Sequence, residues 1–286
     1  MLNLLKRDSN SNERTIRMPR RLLQFGAVSA VAARNMILGA NLVSMPLWRN
    51  PRRFAGYASE MLFFHKSLTN TRGISQKNVF EVLGNGDAIC DVRLALMPGK
   101  EHWFHPVSSY AVDIVSLCML TRLVKPRVIF EIGTLRGYTT LHFALNAAVD
   151  VQVYTLDLPS NGTERPRLAT TYIDDLHIAS QKREYLFNGS AVEDTIQCLF
   201  GDTATFDFTP YNGKVDLFFI DGAHSYEYVR SDTLNALRCC HPGSVVAWHD
   251  FGRMGVNGVS KWLVEFSKDH QIYSVPGGSL AFMVVS

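Results

Sequence analysis

The chain has 286 residues, of which 47% are apolar and 19% are charged. This balance is typical of a folded globular protein, and it excludes both an intrinsically disordered chain and a bundle of membrane-spanning helices. The net charge of +3 is unevenly distributed, because residues 1–55 carry ten Lys or Arg and two acids, whereas the other residues carry 19 basic and 24 acidic groups. The basic character therefore belongs to an N-terminal arm.

The five cysteines make an odd number, and no two of them are spaced as Cys-x-x-Cys. Cys239 and Cys240 are adjacent in sequence, and adjacent cysteines do not readily bridge each other. These features predict reduced thiols in a cytoplasmic protein and argue against a zinc site or a disulfide framework.

The N-terminal arm changes character along its length. Residues 1–21 are polar and rich in Arg, and residues 22–48 are apolar but interrupted by polar side chains. The uninterrupted apolar part is too short to cross a bilayer, which takes about 20 residues. Two alternatives remain for residues 1–55: a helix that packs on the main domain or on a partner subunit of a homo-oligomer, or peripheral contact with a membrane surface through the basic face.

Residues 51–100 are mixed in composition and contain several turn signals, which predicts short helices and loops that form a cap. A helical pattern follows over 108–123, and Lys125-Pro126 ends it. We therefore expect residues 1–100 to form the basic arm and helical cap, and residues 101–286 to form the main domain.

Strand and helix patterns alternate through the main domain. Parallel strands are predicted at 128–132, 151–157, 196–200, 215–221 and 244–250, with two final β runs at 272–275 and 280–285. Helices are predicted at 138–148, 170–182, 226–239 and 256–268. This order predicts an α/β fold with a doubly wound, mostly parallel seven-stranded sheet of Rossmann-like type and an antiparallel last strand.

Four of the five parallel strands end in an acid, and the third is followed by Gly201-Asp202. The four strand-end acids are Glu131, Asp157, Asp221 and Asp250. Because the carboxyl ends of parallel strands line one crevice of such a sheet, we expect these carboxylates to converge on a ligand.

A glycine turn follows the first strand. Gly133 and Gly137 allow the backbone to approach a ligand at the start of a helix. Their spacing is not that of a dinucleotide loop, and the preceding Glu131 disfavours a pyrophosphate. Asp157 lies 24 residues after Gly133, about where a carboxylate accepts hydrogen bonds from ribose hydroxyls. A ribose with a cationic amino-acid tail describes S-adenosylmethionine.

Two stretches carry a resemblance to a known family. The run Glu131-Ile-Gly133-Thr-Leu-Arg-Gly137-Tyr-Thr resembles the first motif of class I S-adenosylmethionine-dependent methyltransferases of the catechol O-methyltransferase-like branch. The run from Phe219-Ile-Asp-Gly-Ala-His-Ser-Tyr-Glu-Tyr228 to Trp248-His-Asp-Phe251 is similar to bacterial small-molecule and sugar O-methyltransferases. The resemblance covers residues 108–286.

The resemblance implies a role for each matching residue. Glu131 and the turn of Gly133, Thr134 and Gly137 hold the methionine part of the cofactor, and Asp157 accepts from the ribose. Asp202 and Thr203 lie beside the adenine. The later stretch supplies Asp221, which contacts the cofactor.

In the metal-dependent members of this family, the position of Asp221 also binds a divalent cation, and His249 and Asp250 match the pair that completes the site. A His at position 249 departs from the oxygen ligands that Mg²⁺ prefers, so Mg²⁺, a metal more tolerant of nitrogen, and no metal all remain open. His224 matches the catalytic lysine of the catechol enzymes, and a His can act as general base in its place.

Structural alternatives stand beside these roles. Glu131 is alternatively a structural acid at the turn, and Asp202 the N-cap of a following helix. His224 is alternatively a packing residue anchored by Tyr226 or Glu227, and His249 with Asp250 a buried hydrogen-bonded pair.

The sequence as a whole predicts a cytoplasmic S-adenosylmethionine-dependent O-methyltransferase that acts on a small-molecule hydroxyl, on a sugar or a phenol. The rival interpretations are another reaction on the same fold, as in hydroxylase-like relatives, and a non-catalytic cofactor-binding scaffold. Nucleic acid is disfavoured as a partner, because the chain beyond the arm is net acidic and lacks a base-flipping motif.

Overall fold

A computed structural model describes residues 74–84, 90–95, 110–180, 184–253 and 255–286 of the chain. The N-terminal arm, and most of the cap predicted for residues 1–100, lie outside these described residues. The division between cap and main domain at residue 100 therefore stays a prediction.

The described helices and strands follow the predicted order. The helices are α1 (Val79–Leu83), α2 (Tyr110–Val124), α3 (Tyr138–Asn146), α4 (Tyr172–Ser180), α5 (Tyr226–Cys239) and α6 (Asn257–Phe266). The strands are β1 (Ser75–Gln76), β2 (Val128–Ile132), β3 (Gln152–Asp157), β4 (Ile196–Phe200), β5 (Val215–Ile220), β6 (Cys240–Trp248), β7 (Tyr273–Ser274) and β8 (Ala281–Val284).

The strands form a single sheet in the order β1-β7-β8-β6-β5-β2-β3-β4. Neighbouring strands from β6 to β4 are parallel, and β8 runs antiparallel to both β6 and β7. The predicted doubly wound sheet with an antiparallel last strand is therefore confirmed. The described sheet has eight strands instead of the predicted seven, because the two-residue β1 pairs with β7 and is too short to show a strand pattern in the sequence.

The sheet separates two apolar layers. Successive residues of a strand point to opposite faces, so Phe218 of β5 packs in the layer with α5 and α6, and Phe219 packs in the layer with α2 and α3. Both rings are 0% exposed, which explains why β5 is a nearly continuous apolar run. Burial of each such side chain contributes about 1.5–3 kcal/mol, and this burial holds the strand ends in place.

The order of the strands reverses between β2 and β5. From β2 the chain proceeds outward to β3 and β4, and it then returns to β5 and proceeds to β6 on the other side. A ligand crevice forms at the carboxyl ends of the strands where the order reverses. The acids at the ends of β2, β3, β5 and β6 therefore share one edge of the sheet, as expected.

All five cysteines lie in the described residues, and no two of them are bridged there. Within the same residues, no helix combines the length and the apolar character that crossing a membrane requires.

Candidate active site

The turn after β2 brings the ends of two strands into contact. Gly133 adopts a φ of 95°, and a Cβ at this position would lie 2.1 Å from the backbone oxygen of Asp221 at the end of β5. The backbone N–H of Gly133 donates to the carbonyl of Leu156 at 2.9 Å, and that of Asp221 donates to the carbonyl of Ile132 at 2.9 Å. Only glycine fits this position, because any side chain would push β2 and β5 apart.

Glu131 lies beneath this turn. Its side chain is buried, and its Oε2 accepts hydrogen bonds from the hydroxyls of Thr140 and, at 2.6 Å, Thr155. The hydroxyl of Thr155 also lies 2.7 Å from that of Thr134 in the turn. Burial raises the pKa of Glu131 to about 8, and the charges of Asp221 and Asp157 add to this. Glu131 thus supports the turn from below and is not part of the cavity wall.

A cavity of about 240 Å³ opens at the carboxyl ends of the parallel strands. Eight residues predicted for the site line it: Gly133, Asp157, Asp202, Thr203, Asp221, His224, His249 and Asp250. Glu131, Thr134 and Gly137 lie outside this lining, although the turn that contains Thr134 and Gly137 borders it. The opposite wall comes from the region after β3, which carried no motif in the sequence: Leu158, Pro166, Thr170, Asp174, His177 and Ile178.

Asp157 ends β3 with its carboxylate held at the mouth of the cavity. Its Oδ2 accepts from the N–H of Leu135 at 2.9 Å, and its Oδ1 accepts from the N–H of Leu158 at 2.8 Å. Leu135 itself has a φ of 47°, so the turn adopts an uncommon backbone conformation beside this carboxylate. A carboxylate oriented in this way suits the pair of hydroxyls of a ribose.

Asp202 follows β4 and is buried. Its Oδ1 accepts from the hydroxyl of Tyr228 at 2.9 Å and from the N–H of Ala204 at 3.1 Å, and its Oδ2 accepts from the N–H of Arg167 at 2.7 Å. No α-helix follows Asp202 directly, so it does not act as the N-cap of a helix. Its bond from the N–H of Ala204 instead lies within a short turn. Asp202 instead ties the loop after β3 to α5 and leaves Thr203 on the cavity wall.

His224 lies between two carboxylates. Its Nδ1 is 2.5 Å from Oδ1 of Asp174 in α4, and its Nε2 is 2.8 Å from Oδ2 of Asp250. Burial by itself lowers the pKa of His224, but the hydrogen bonds and charges of both carboxylates outweigh it and raise the pKa to about 10. The anchors of His224 are therefore Asp174 and Asp250, and Tyr226 instead donates to Glu265.

His249 is held in the same manner. Its Nε2 lies 3.2 Å from Oδ2 of Asp113 in α2, and its Nδ1 lies 3.0 Å from Oδ1 of Asp250 and 3.2 Å from Oδ1 of Asp221. Burial opposes the charged imidazolium, but the three carboxylates raise the pKa of His249 well above its usual value. His249 and Asp250 therefore form the buried pair that was the structural alternative to metal binding, and Asp113 and Asp221 are additional partners of His249.

Three of these partners had no signal in the sequence. Asp113 and Asp174 lie within helices, where an acid is unremarkable. Arg253, whose Nη1 lies 2.6 Å from Oδ1 of Asp250, lies in a loop after β6. Asp113 also accepts from the backbone N–H and the hydroxyl of Ser279, both at 2.8 Å. Only the packing of α2 and α4 at the carboxyl edge of the sheet places these acids against the histidines.

A divalent cation fits the side chains poorly. Ligand atoms of Asp221, His224 and Asp250 lie within 4.8 Å of one another, a spacing that one cation could bridge, and His249 is not in this group. However, the carboxylate oxygens of Asp250 already accept from His224, His249 and Arg253. Asp250 is therefore a carboxylate whose charge is neutralised by cationic side chains.

Asp232 of α5 is a buried acid beside the cavity. Neither of its carboxylate oxygens meets hydrogen-bond geometry with a partner among the described residues. Burial raises the pKa of Asp232 to about 7, and the nearby hydroxyl of Thr203 opposes this only in part. Asp232 is therefore a destabilising charge at alkaline pH.

The parallel sheet, the glycine turn and the acids at the strand ends define a Rossmann-like, cofactor-binding α/β domain. Residues 130–251 match a family model described as a methyltransferase domain. The methyltransferase resemblance predicted from the sequence is thus confirmed over this part of the chain. No curated protein matches the chain.

Several solved structures are similar to the chain at low identity. A cofactor-bound protein from MTB, Rv0187, is 18% identical over 63% of this chain and 83% of that one, with a TM-score of 0.45. The O-methyltransferase TomG from Streptomyces achromogenes, in complex with SAM, is 18% identical over 78% and 89%, with a TM-score of 0.43. An O-methyltransferase from Bacillus cereus in complex with SAH is 14% identical over 90% and 99%, with a TM-score of 0.44.

We predict that Gly133→Ala lowers the melting temperature more than Gly162→Ala does. Both glycines have positive φ, so each substitution carries a backbone strain of about 1–2 kcal/mol. At Gly162 a Cβ meets nothing within 4 Å, whereas at Gly133 it meets the Asp221 carbonyl at 2.1 Å. Differential scanning calorimetry measures the difference, and equal losses in the two variants would contradict the close strand contact.

We predict that Asp232→Asn changes how stability depends on pH. The folded-state pKa of about 7 exceeds the usual value of 3.8, so the folded protein holds this proton more tightly than the unfolded chain does. The stability that this group contributes is present below pH 3.8 and is lost as pH rises through 7. Relative to wild type, the variant should gain stability by up to about 1.4 kcal/mol per pH unit in this window.

Urea unfolding at pH 5, 6, 7 and 8 checks this prediction. The comparison with wild type cancels the similar contribution of Glu131, which both proteins retain. If the free energies of unfolding of the two proteins change in parallel across this pH series, Asp232 keeps an ordinary pKa in the fold.

Proposed function

We propose that the domain transfers a methyl group from S-adenosylmethionine to a hydroxyl oxygen of a small molecule, with a sugar or a phenol as the acceptor class. One observation carries this proposal. The Gly133 turn and the carboxylate of Asp157 face the same cavity as the His224 side chain. The residues that would bind the cofactor and the residue that would accept the proton therefore line one cavity. A cofactor and an acceptor bound there together could contact both.

The cofactor end fits a cationic nucleoside. Asp157 would accept hydrogen bonds from the ribose hydroxyls, and Asp202 and Thr203 would flank the adenine. The turn of Gly133, Thr134 and Gly137 would receive the methionine part. Glu131 would act from beneath the turn, where a nearby ammonium would favour the charged form of its carboxyl group. Acids at several strand ends suit the positive sulfonium and ammonium of this cofactor better than they suit a pyrophosphate.

The chemistry at the other end needs orientation and a proton acceptor. When bound, S-adenosylmethionine would supply an activated methyl group, which would pass from sulfur to the acceptor oxygen and leave a neutral thioether. The hydroxyl proton passes to Nε2 of His224 in its neutral form. Asp221, whose side chain is 25% exposed and faces the cavity, would orient the hydroxyl. Since the donor is already activated, proximity supplies much of the rate enhancement.

Asp174 would position His224 rather than react. It accepts from the backbone N–H of His224 at 3.1 Å and contacts Nδ1 of the ring, so it fixes both the backbone and the imidazole. This leaves Nε2 as the nitrogen that points toward Asp250 and the cavity.

The role of the basic arm remains a prediction, because residues 1–55 lie outside the described residues. Contact with an anionic membrane surface and packing on a second copy of the chain both still follow from its charge and apolar pattern. A cytoplasmic location is supported by the proposed donor, which is made in the cytoplasm, and a small-molecule acceptor by the cavity volume of about 240 Å³.

We predict that Asp157→Asn weakens S-adenosylmethionine binding by about 10- to 100-fold, because hydrogen bonds to a charged group contribute about 1.5–3 kcal/mol. Isothermal titration calorimetry measures the affinity. Asp150→Asn, at an exposed acid outside the cavity, is the matched control and should bind as wild type does. Unchanged binding by Asp157→Asn would remove the ribose contact and with it the cofactor assignment.

We predict that His224→Ala loses turnover while it retains cofactor affinity. In wild type, kcat should rise about tenfold per pH unit between pH 7 and 9, since a base of pKa about 10 is mostly protonated there. A labelled-donor assay with a panel of sugars and phenols measures turnover.

The matched control is His241→Ala, at a surface histidine that pairs with Asp216 away from the cavity. A pH-independent kcat over this range, or an active His224→Ala protein, would show that another group takes the proton.

A further inference from the structure

Asp250 accepts hydrogen bonds from three nitrogen-bearing side chains. Nη1 of Arg253 lies 2.6 Å and Nδ1 of His249 lies 3.0 Å from its Oδ1, and Nε2 of His224 lies 2.8 Å from its Oδ2. A carboxylate offers about four lone-pair positions, so three of them are taken by these donors. Asp250 is also held at a φ of 61°, which a non-glycine residue adopts rarely.

Asp221 also contacts one of these side chains, His249. Its Oδ1 lies 3.2 Å from Nδ1 of His249, so this nitrogen lies between the carboxylates at the ends of β5 and β6. The other nitrogen of His249 faces Asp113, which is itself fixed by two backbone N–H groups, those of Ser279 and Leu280. His249 cannot turn away from Asp221 and Asp250 without breaking this buried contact.

The nitrogens of His224 leave little room for metal coordination. Nδ1 faces Asp174 and Nε2 faces Asp250, and an ionised carboxylate only accepts hydrogen bonds. In the resting protein each nitrogen therefore carries a hydrogen, whereas a metal ligand needs a free lone pair on nitrogen. His224 acts as a base only in the minor form that has lost the hydrogen from Nε2.

Arg253 adds a charge that pH does not remove. A guanidinium stays protonated throughout the accessible pH range, and this one touches an oxygen that a cation at Asp250 would need. Its side chain is 43% exposed and lines the cavity.

We propose that Arg253, His249 and His224 form a cationic cluster that takes the place of a divalent cation at Asp221 and Asp250, so that the cavity binds its ligands without a metal. The cluster supplies positive charge, which is permanent at Arg253, and N–H donors beside the acceptor oxygen, where a metal-dependent relative would place the ion. The proposal concerns the same cavity as the methyl transfer proposed above, but metal binding can be measured without any turnover.

The test is Mn²⁺ binding to the full-length protein, followed by electron paramagnetic resonance, with and without S-adenosylhomocysteine. Wild type should leave the spectrum of free Mn²⁺ unchanged in both cases. The double variant Arg253→Ala/His249→Asp should bind Mn²⁺, because it removes two cationic donors and adds a carboxylate next to Asp221 and Asp250. The matched control, Arg238→Ala/His241→Asp, makes the same changes at side chains outside the cavity lining and should not bind Mn²⁺.

Two outcomes would overturn the proposal. One is stoichiometric Mn²⁺ binding by wild type that Asp250→Asn abolishes. The other is a folded double variant, as judged by circular dichroism, that binds no more Mn²⁺ than the control does. Arg253→Ala alone is the fallback if the double variant does not fold, since its side chain is partly exposed, and it should also gain Mn²⁺ binding. Calorimetry with S-adenosylhomocysteine, run separately, distinguishes failure of the cofactor assignment from failure of this proposal.

Discussion

The contact between Gly133 and the backbone of Asp221 is the constraint on which the site depends. The sheet reverses its strand order between β2 and β5, and the two strand ends approach so closely that a Cβ would lie 2.1 Å from a carbonyl oxygen. This approach brings Asp157 and Asp221 into the lining of one cavity. A larger residue at position 133 would open the crevice at the place where the cofactor is expected.

Buried charges then join parts of the chain that are far apart in sequence. Asp113 in α2 reaches His249 across 136 residues, and Asp174 in α4 reaches His224 across 50. Each buried ion would be costly if it were alone, because it loses its hydration. Here each histidine has carboxylates on both sides, so the charges offset one another and both rings are held in one orientation. The arrangement ties α2 and α4 to the carboxyl edge of the sheet.

The two walls of the cavity differ in how they are built. The strand-end wall rests on the central strands of the sheet, where Phe218 and Phe219 of β5 are fully buried on opposite faces. The other wall comes from α4 and the loop that precedes it, and Asp202 ties that loop to the rest of the domain through Arg167 and Tyr228. Loops on a rigid scaffold commonly determine which ligand is accepted. The choice of acceptor therefore depends on this second wall.

The sequence alone determined the sheet, the order of its elements and the acids at the strand ends. Apolar runs, glycine turns and terminal acids are local patterns, and they follow from the burial of strands and from the approach of backbone to a ligand. They also led to Asp157 and His224 and to the methyltransferase resemblance. The two-residue β1 was too short to leave such a pattern.

Only the tertiary structure decided which groups surround the histidines. Asp113 and Asp174 look like ordinary helical acids in the sequence, and Arg253 looks like a loop residue. Their meeting with His249, His224 and Asp250 depends on how two helices pack at the edge of the sheet, and no local pattern encodes that packing. For the same reason, the sequence left the metal open, whereas the geometry shows that nitrogen donors already surround Asp250.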